Sequence, residues 1–398
     1  MYEKEKSGEL YADQSVLKAA MSQRSSRSGK RDRDSGLPSS SFTTKSATTG
    51  PYNPQFEQIL IDNGVYPDGY RGKEGGRPPK PQNSEDIRHW LSLPRLSLSP
   101  SSFSEGASED FQDDDRRAAS EQDVMTNVMP AIIEAQDIQH YSSGNIDFNN
   151  LEKFHPSLKT AKPDSSYGSY PEEIDRRVRS DLAQYIVPST TENRPAPPNY
   201  LVEVKGASGR SDVLQRQAMH VGAIGVRSMF QLQNYGNETP AFDGNAYSYT
   251  STYHAGEGSL RIHATHPTQS ATGETKYYMT PLWSYAMTDT SDSFRQGAAA
   301  YRNIRDLSKE QRDRFIAEAN ATAQSLPTAA SQSSATGSTT EVSSASESDT
   351  STDELAHEYD QPSRRQRRRI ATPSSSYGSA NVRQSQTLQI TSATSSAP

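Results

Sequence analysis

The chain has 398 residues and a formal net charge of -7, and 31% of its residues are hydrophobic. It contains no cysteine, which excludes a disulfide framework, a cysteine-ligated zinc site and a cysteine nucleophile. The negative charge does not favour indiscriminate binding to nucleic acid. No run of about eighteen apolar residues predicts a membrane span, and the N-terminus lacks the apolar segment of a secretory signal. We therefore expect an intracellular protein without a membrane partner.

Apolar residues are distributed unevenly along the chain. They are scarce over residues 1–49 and over residues 326–398, and they approach the usual frequency in between. A segment that cannot bury an apolar core stays disordered, because nothing offsets its loss of conformational entropy on folding. The sequence therefore predicts one folded domain over residues 50–325, with its core at about 119–306, between two disordered polar tails.

The hydrophobic pattern predicts helices and strands in mixed order. Apolar residues three and four positions apart predict helices at about 56–61, 87–91, 119–135, 172–186, 211–233, 292–306 and 309–323. Alternating or continuous apolar and β-branched residues predict strands at 200–206, 246–253, 259–266 and 277–287. The acidic stretch at 105–115 is expected to be exposed. This order of elements predicts an α/β (α+β) domain.

Capping signals locate the ends of two helices. Ser211 or Asp212 is expected to cap the helix at 211–233, whose glycines and alanines would let it lie close on a sheet. Ser308 and Gln311 have the spacing of a capping box, which predicts that a new helix begins there. The C-terminal part of the domain is therefore expected to end in two separate helices.

Two charged residues lie on the predicted strand at 200–206. Glu203 and Lys205 are two positions apart and therefore face the same side of a strand that is otherwise apolar. Because burying an unpaired charge costs several kcal/mol, the two side chains either pair with each other or face a site. The same spacing at Glu274 and Lys276 falls in a polar turn and is discounted.

A carboxylate and a lysine on one strand face are the groups that a metal-dependent phosphodiesterase uses. Mg²⁺ prefers carboxylate, water and phosphate oxygens. A lysine near the attacked phosphate stabilises the charge that develops there or orients the attacking water. Such a site needs a second carboxylate close to Glu203. Asp164, at the end of a short predicted strand, is the upstream candidate.

Ordered phrases along the chain carry a family resemblance. They are YNPQFEQILIDNGVYP (52–67), LPRLSLSPSSFS (93–104), KPDSSYG (162–168), PEEIDRRVRSDLAQYIVPST (171–190), PPNYLVEVKG (197–206), QAMHVGAIGVRSM (217–229) and NAYSYTSTYHAGEGSLRIHATHPT (245–268). Over about 52–320 the sequence resembles a fungal family of PD-(D/E)XK nuclease-like domains of unknown function. The resemblance implies a restriction-endonuclease-like core, in which helices flank a mixed central sheet and the acidic residues lie on adjacent strands.

The same resemblance implies a role for individual residues. Asp164 matches the first acid of the motif, Glu203 its central acid and Lys205 its lysine. Asp164 and Glu203 would hold Mg²⁺ or Mn²⁺, and a metal-bound water would hydrolyse phosphodiesters in DNA. Gln217 matches a glutamine that supports the site in some relatives, and Glu121 matches a glutamate on the first helix near the metal.

Two functions remain open at this point. The domain is either an active nuclease or a catalytically inactive domain of the same fold that binds nucleic acid or protein, because a fold does not guarantee its chemistry. A self-assembling structural protein is a third class, but few heptads or repeats support it.

An arginine cluster in the C-terminal tail suggests a further partner. It consists of Arg364, Arg365, Arg367, Arg368 and Arg369. Such a cluster on an accessible segment predicts binding to a nuclear import receptor, and the same residues could contact phosphates without sequence preference. The expected location is therefore nuclear or cytoplasmic.

Overall fold

The computed structural model describes residues 48–73, 75–134, 139–190 and 194–326. Apart from residues 48, 49 and 326, both predicted tails lie outside the described residues. The arginine cluster at 364–369 lies outside them as well. None of the described helices combines the length and apolar character needed to cross a membrane.

The described residues form a mixed sheet of seven strands. The strands are β1 (Val65–Tyr66), β2 (Tyr141–Gly144), β3 (Ser165–Ser169), β4 (Ala196–Lys205), β5 (Ser248–His254), β6 (Ser259–Gln269) and β7 (Thr275–Ala286). Their order is β1-β7-β6-β5-β4-β3-β2. The β1–β7 and β4–β5 pairs are parallel and the other pairs are antiparallel. The prediction of an α+β domain with a mixed central sheet flanked by helices is confirmed.

Helices cover the two faces of the sheet. They are α1 (Gln55–Asp62), α2 (Ser84–Ser92), α3 (Glu105–Arg117), α4 (Glu121–Asp123), α5 (Met129–Ile133), α6 (Arg176–Asp181), α7 (Ala183–Ile186), α8 (Ser211–Gln233) and α9 (Ser291–Ser325). A π-helical turn, Val124–Val128, joins α4 to α5. Short 3₁₀ turns lie at Leu96–Leu98 and Pro171–Glu173.

The long helix α8 lies directly on one face of the sheet, as its small residues predict. A Cβ added at Gly225 would lie 2.4 Å from Ser248 Oγ and 2.9 Å from Leu201 Cδ1. A Cβ at Gly222 would lie 2.8 Å from Thr265 Oγ1. Any larger residue at these positions would push the helix away from the strands, so the glycines set the depth at which α8 packs.

The opposite face of the sheet carries the largest apolar cluster, which α9 covers. Tyr200 on β4 and Tyr301 on α9 are fully buried there, with ring centroids 5.3 Å apart in an edge contact. Both buried hydroxyls have a hydrogen-bond partner: the Tyr200 hydroxyl bonds to the Ser251 hydroxyl at 2.7 Å, and the Tyr301 hydroxyl bonds to the Tyr167 hydroxyl at 3.2 Å. The strand β4 is thus buried on both faces, which agrees with its apolar sequence.

The acidic stretch at 105–115 forms helix α3, so the prediction that it is simply exposed is wrong. Ser104 caps this helix by accepting a hydrogen bond from Ala107 N–H. Asp115 is buried, because its carboxylate accepts hydrogen bonds from Tyr253 Oη at 2.6 Å and from Gly256 N–H at 3.1 Å. The residues that bury Asp115 lie far from it in the sequence.

The two predicted C-terminal helices are one continuous helix, α9, so the predicted capping box at Ser308 is wrong. Ser308 is buried, and its hydroxyl donates to Arg305 O within the helix at 2.7 Å. Gln311 Oε1 instead accepts a hydrogen bond from Tyr249 Oη at 3.0 Å. The predicted cap of α8 is also wrong, because Arg210 stands at the N-cap and its side chain makes no capping hydrogen bond in the described structure.

Other predicted elements are confirmed with changed boundaries. Helix α8 and the β5–β6 hairpin lie where the pattern predicts them, whereas the helix predicted at 119–135 contains a π-helical turn before Pro130. The helix predicted at 172–186 is split into α6 and α7. Asp164 immediately precedes β3 and does not end a strand as predicted.

A buried histidine makes the packing of α1 on α8 sensitive to acid. His220 contacts the Phe56 ring edge-on, with centroids 5.3 Å apart. Burial, aided by the positive charges of Arg227 and Lys153, lowers the pKa of His220 from 6.5 to about 3. Because this pKa is lowered on folding, the stabilisation is complete above pH 6.5 and is lost as the pH falls below it.

We expect His220→Phe to weaken the pH dependence of stability. Between about pH 7 and about pH 5, protonation of His220 in the unfolded chain should lower the free energy of unfolding by about 2 kcal/mol more in the wild type than in the variant. Urea unfolding at the two pH values measures the difference. An equal change in the free energy of unfolding between the two pH values in both proteins would contradict the role of His220, because the remaining histidines are present in both.

Candidate functional site

The pairing of β3 with β4 brings two carboxylates together. Ser165 pairs with Val202 in antiparallel register, and continuing that register by one residue places Asp164 opposite Glu203. The Asp164 carboxylate is fixed there, because its Oδ2 accepts a hydrogen bond of 2.7 Å from Val204 N–H. Asp164 is only 8% exposed. The sheet therefore brings together two predicted acids that lie far apart in sequence.

One oxygen of the buried Glu203 carboxylate lacks a hydrogen-bond partner in the part of the chain that the structure describes. Glu203 is 1% exposed, and its Oε2 has no hydrogen-bond partner among the described residues. Burial, followed by the negative charge of Asp164, holds the pKa of Glu203 well above its usual range, although Lys205 acts in the other direction. A group at this position is costly when ionised unless a cation or a proton joins it.

Lys205 forms an ion pair with Glu121 at the edge of the site. Its Nζ donates a hydrogen bond to Glu121 Oε1. Burial acts to lower the pKa of Lys205, but the charge and the hydrogen bond of Glu121 outweigh it, so the pKa is raised. Lys205 is therefore a protonated, 2% exposed cation. The sequence left open whether Glu203 and Lys205 pair with each other. In the described part of the structure no hydrogen bond joins their side chains.

A glycine at the end of β4 lets Glu121 reach Lys205. A Cβ at Gly206 would lie 2.3 Å from the carbonyl oxygen of Ala119, so only glycine allows this segment to cross the strand end. Ala207 N–H donates to Ala118 O at 3.2 Å and fixes the crossing. Ser120 then begins α4 with a capping box, and Glu121 is the first residue of that helix.

Gln217 lies on α8 and makes no hydrogen bond to the two acids in the described structure. Its Oε1 is buried and has no hydrogen-bond partner among the described residues. The Gly225–Leu201 contact fixes the position of α8 on β4, and Gln217 lies about two turns before Gly225, in the direction of the site. Its supporting role stays a prediction.

The two carboxylates at this site would supply only part of the ligand shell of a small divalent cation. No group of three or more histidine, aspartate or glutamate side chains in the described ranges is arranged to hold a metal ion. Two neighbouring carboxylates remain, Asp164 and Glu203, and Mg²⁺ is commonly bound by one or two carboxylates with water and phosphate completing its shell. The unpartnered Glu203 Oε2 is the atom that such an ion would satisfy.

Three residues that shape this site were not predicted to belong to it. Gly206 and Gly209 follow Lys205 in the chain, and a Cβ at Gly209 would lie 2.7 Å from Lys205 Cβ. His254 pairs in register with Lys205 on the neighbouring strand. Two glycines directly after a charged strand were the available signal, because glycine often marks a close backbone approach.

The fold and site define an α+β domain with paired buried acids at the centre of a mixed sheet. The chain belongs to a family described as a domain of unknown function (DUF7924), which matches residues 112–320. That range contains every predicted site residue: Glu121, Asp164, Glu203, Lys205 and Gln217. No curated protein and no solved structure matches the chain. The family description names no reaction.

Proposed function

We propose that this domain is a metal-dependent phosphodiesterase that acts on DNA, of the PD-(D/E)XK type. The observation that carries the proposal is the buried Glu203 carboxylate, which faces a second carboxylate, Asp164, and leaves Oε2 without a partner in the described structure. A purely structural carboxylate at this position would be expected to have hydrogen-bond donors. A bound cation would remove both the repulsion and the unmet acceptor.

Each residue of the site has a defined task in this proposal. Asp164 and Glu203 would hold Mg²⁺ or Mn²⁺, which when bound supplies a Lewis acid and a more acidic water. Val204 N–H keeps the Asp164 carboxylate oriented. Lys205 keeps its proton and supplies a positive charge for the phosphate oxygens as negative charge develops on them.

The burial of Glu203 and Lys205 limits the path by which a substrate would reach them. Glu203 and Lys205 are almost fully buried, whereas the Glu121 side chain is 28% exposed. An incoming phosphate would therefore approach past Glu121 and compete with its carboxylate for the Lys205 ammonium. Glu121 keeps the lysine charged and positioned until that exchange takes place.

The proposal includes a nuclear location. The cluster of Arg364, Arg365, Arg367, Arg368 and Arg369 would be bound by an import receptor. These residues lie outside the described part of the chain, so the support comes from the sequence.

Cleavage assays on single- and double-stranded DNA test the proposal. Wild-type protein should cleave in the presence of Mg²⁺ or Mn²⁺ and stop when the metal is chelated. Lys205→Ala should lose roughly 10²–10³-fold in rate, since a preorganised charge at the reacting phosphate is removed. Lys276→Ala, from the discounted pair Glu274 and Lys276, should cleave like the wild type.

A wild type that cleaves neither form of DNA with either metal would contradict the proposal. Equal activity of Lys205→Ala and Lys276→Ala would contradict the role of Lys205. The second candidate is a catalytically inactive domain that binds nucleic acid or protein. The Lys205–Glu121 ion pair favours it, because this bond occupies the ammonium that a substrate phosphate would need. DNA binding without cleavage would support that candidate.

A further inference from the structure

His254, the last residue of β5, uses both of its ring nitrogens. Nδ1 lies 2.8 Å from the carbonyl oxygen of Ala255, and Nε2 lies 2.9 Å from the carbonyl oxygen of Gly209. A carbonyl oxygen only accepts hydrogen bonds, and a neutral imidazole carries a single N–H. Both bonds therefore form together only when His254 is a doubly protonated imidazolium.

The bond to Gly209 holds the loop that packs on Lys205. Gly209 closes a turn by donating its N–H to Gly206 O at 2.8 Å. A Cβ at Gly209 would lie 2.7 Å from Lys205 Cβ and 2.9 Å from Lys205 Cδ, so the loop backbone touches the lysine stem. Ala255 N–H also donates to Lys205 O at 2.9 Å. His254 thus connects the strand end, the loop and the lysine.

Charged side chains lie near His254 on several neighbouring elements. Glu257 Oε1 lies 3.9 Å from His254 Nε2, and it also accepts a hydrogen bond from Ser211 at 3.1 Å. The other charges are Lys205 on β4, Arg261 on β6 and the Arg210–Asp212 ion pair at the start of α8. Lys205 is ion-paired with Glu121, and Asp212 is shared by Arg210 and Arg216. Glu257 is therefore the nearest charge without a basic partner in the described structure.

We infer that His254 is a positioning residue for Lys205, whose imidazolium clamps the 206–210 loop against the lysine and whose deprotonation releases that loop. The inference deepens the proposed function and rests on it for its catalytic meaning, because it concerns how the site lysine is held. Histidine is the side chain whose charge changes near neutral pH. The environment of Lys205 therefore follows pH even in metal-free protein.

Hydrogen exchange and NMR on the full-length, metal-free protein test the clamp. From about pH 5.5 to about pH 8.5, the protection factors of the Ala207 and Gly209 amides, corrected for intrinsic exchange, should fall roughly tenfold or more, because a hydrogen bond to a charged donor is lost. His254→Gln cannot carry the charge and should show low protection throughout. His89→Gln, at an exposed histidine on α2, should match the wild type.

Two wild-type signals keep the test independent of how the variant folds. Nitrogen NMR should show two ring N–H protons on His254 at the acidic end, and the Lys205 Nζ signal should shift as one of them is lost. Equal protection in wild type and His254→Gln at every pH would overturn the clamp, whatever the cleavage assay shows. A His254-dependent loop in a protein without metal-dependent cleavage would support the clamp and contradict the nuclease proposal.

Discussion

Glu203→Gln is expected to stabilise the metal-free protein, by on the order of 1–3 kcal/mol near neutral pH. Glutamine has nearly the same shape, carries no charge to bury beside Asp164, and supplies an N–H₂ that can donate to the neighbouring carboxylate. Urea unfolding in the presence of a chelator measures the change. Glu274→Gln, in the exposed turn between β6 and β7, is the matched control and should leave stability unchanged.

The stability gained by Glu203→Gln is also expected to depend on pH. Burial and Asp164 raise the pKa of Glu203 on folding, so the stabilisation from its protonated form is present below pH 4.5 and is lost as the pH rises through the folded value. The advantage of Glu203→Gln should therefore grow with pH. If Glu203 were one partner of a structural ion pair, the variant would instead lose about 3–5 kcal/mol, and that result would contradict the site.

Arg312→Ala is expected to lower the free energy of unfolding by about 3–5 kcal/mol. Arg312 on α9 is fully buried, and burial lowers its pKa to about 10, which leaves it charged at neutral pH. Its Nη1 donates to Asn199 Oδ1 at 2.6 Å and its Nε donates to Ser169 Oγ at 3.0 Å. Truncation would leave a cavity and unmet acceptors between α9, β3 and β4.

Arg314→Ala provides the comparison for Arg312. Arg314 lies two residues further along the same helix and is exposed, so its replacement should change stability by less than about 1 kcal/mol. Urea unfolding of both variants gives the two values. Equal, small losses would mean that the Arg312 network does not hold the helix to the sheet.

Local hydrophobic periodicity was sufficient to predict the elements whose packing follows a regular apolar pattern. Helix α8 and strand β4 follow from their apolar spacing and small residues, and so does the shared face of Glu203 and Lys205. These features depend on neighbours within a few positions, which the sequence displays directly. The prediction failed where distant contacts decide, as for Asp115 in α3, whose partner Tyr253 lies far along the chain.

The arrangement of the site could be predicted only in part. Asp164 and Glu121 were both predicted as candidates, but the hydrogen bond from Val204 to Asp164 depends on strand pairing, which no local pattern determines. The Lys205–Glu121 ion pair needs the close crossing at Gly206. A glycine in a sequence shows that something approaches closely without showing what approaches, so this contact had to be observed.

Calorimetric titration of the full-length protein with Mn²⁺ tests the central claim most directly, because it measures the paired acids without requiring a known substrate. The wild type is expected to bind Mn²⁺ and to release protons as Glu203 ionises, since its raised pKa favours the protonated form in the metal-free state. Glu203→Gln should lose this binding, and Glu274→Gln should retain it. A wild type that gives no binding heat, or a Glu203→Gln variant that binds as tightly as the wild type, would contradict a metal site at Asp164 and Glu203.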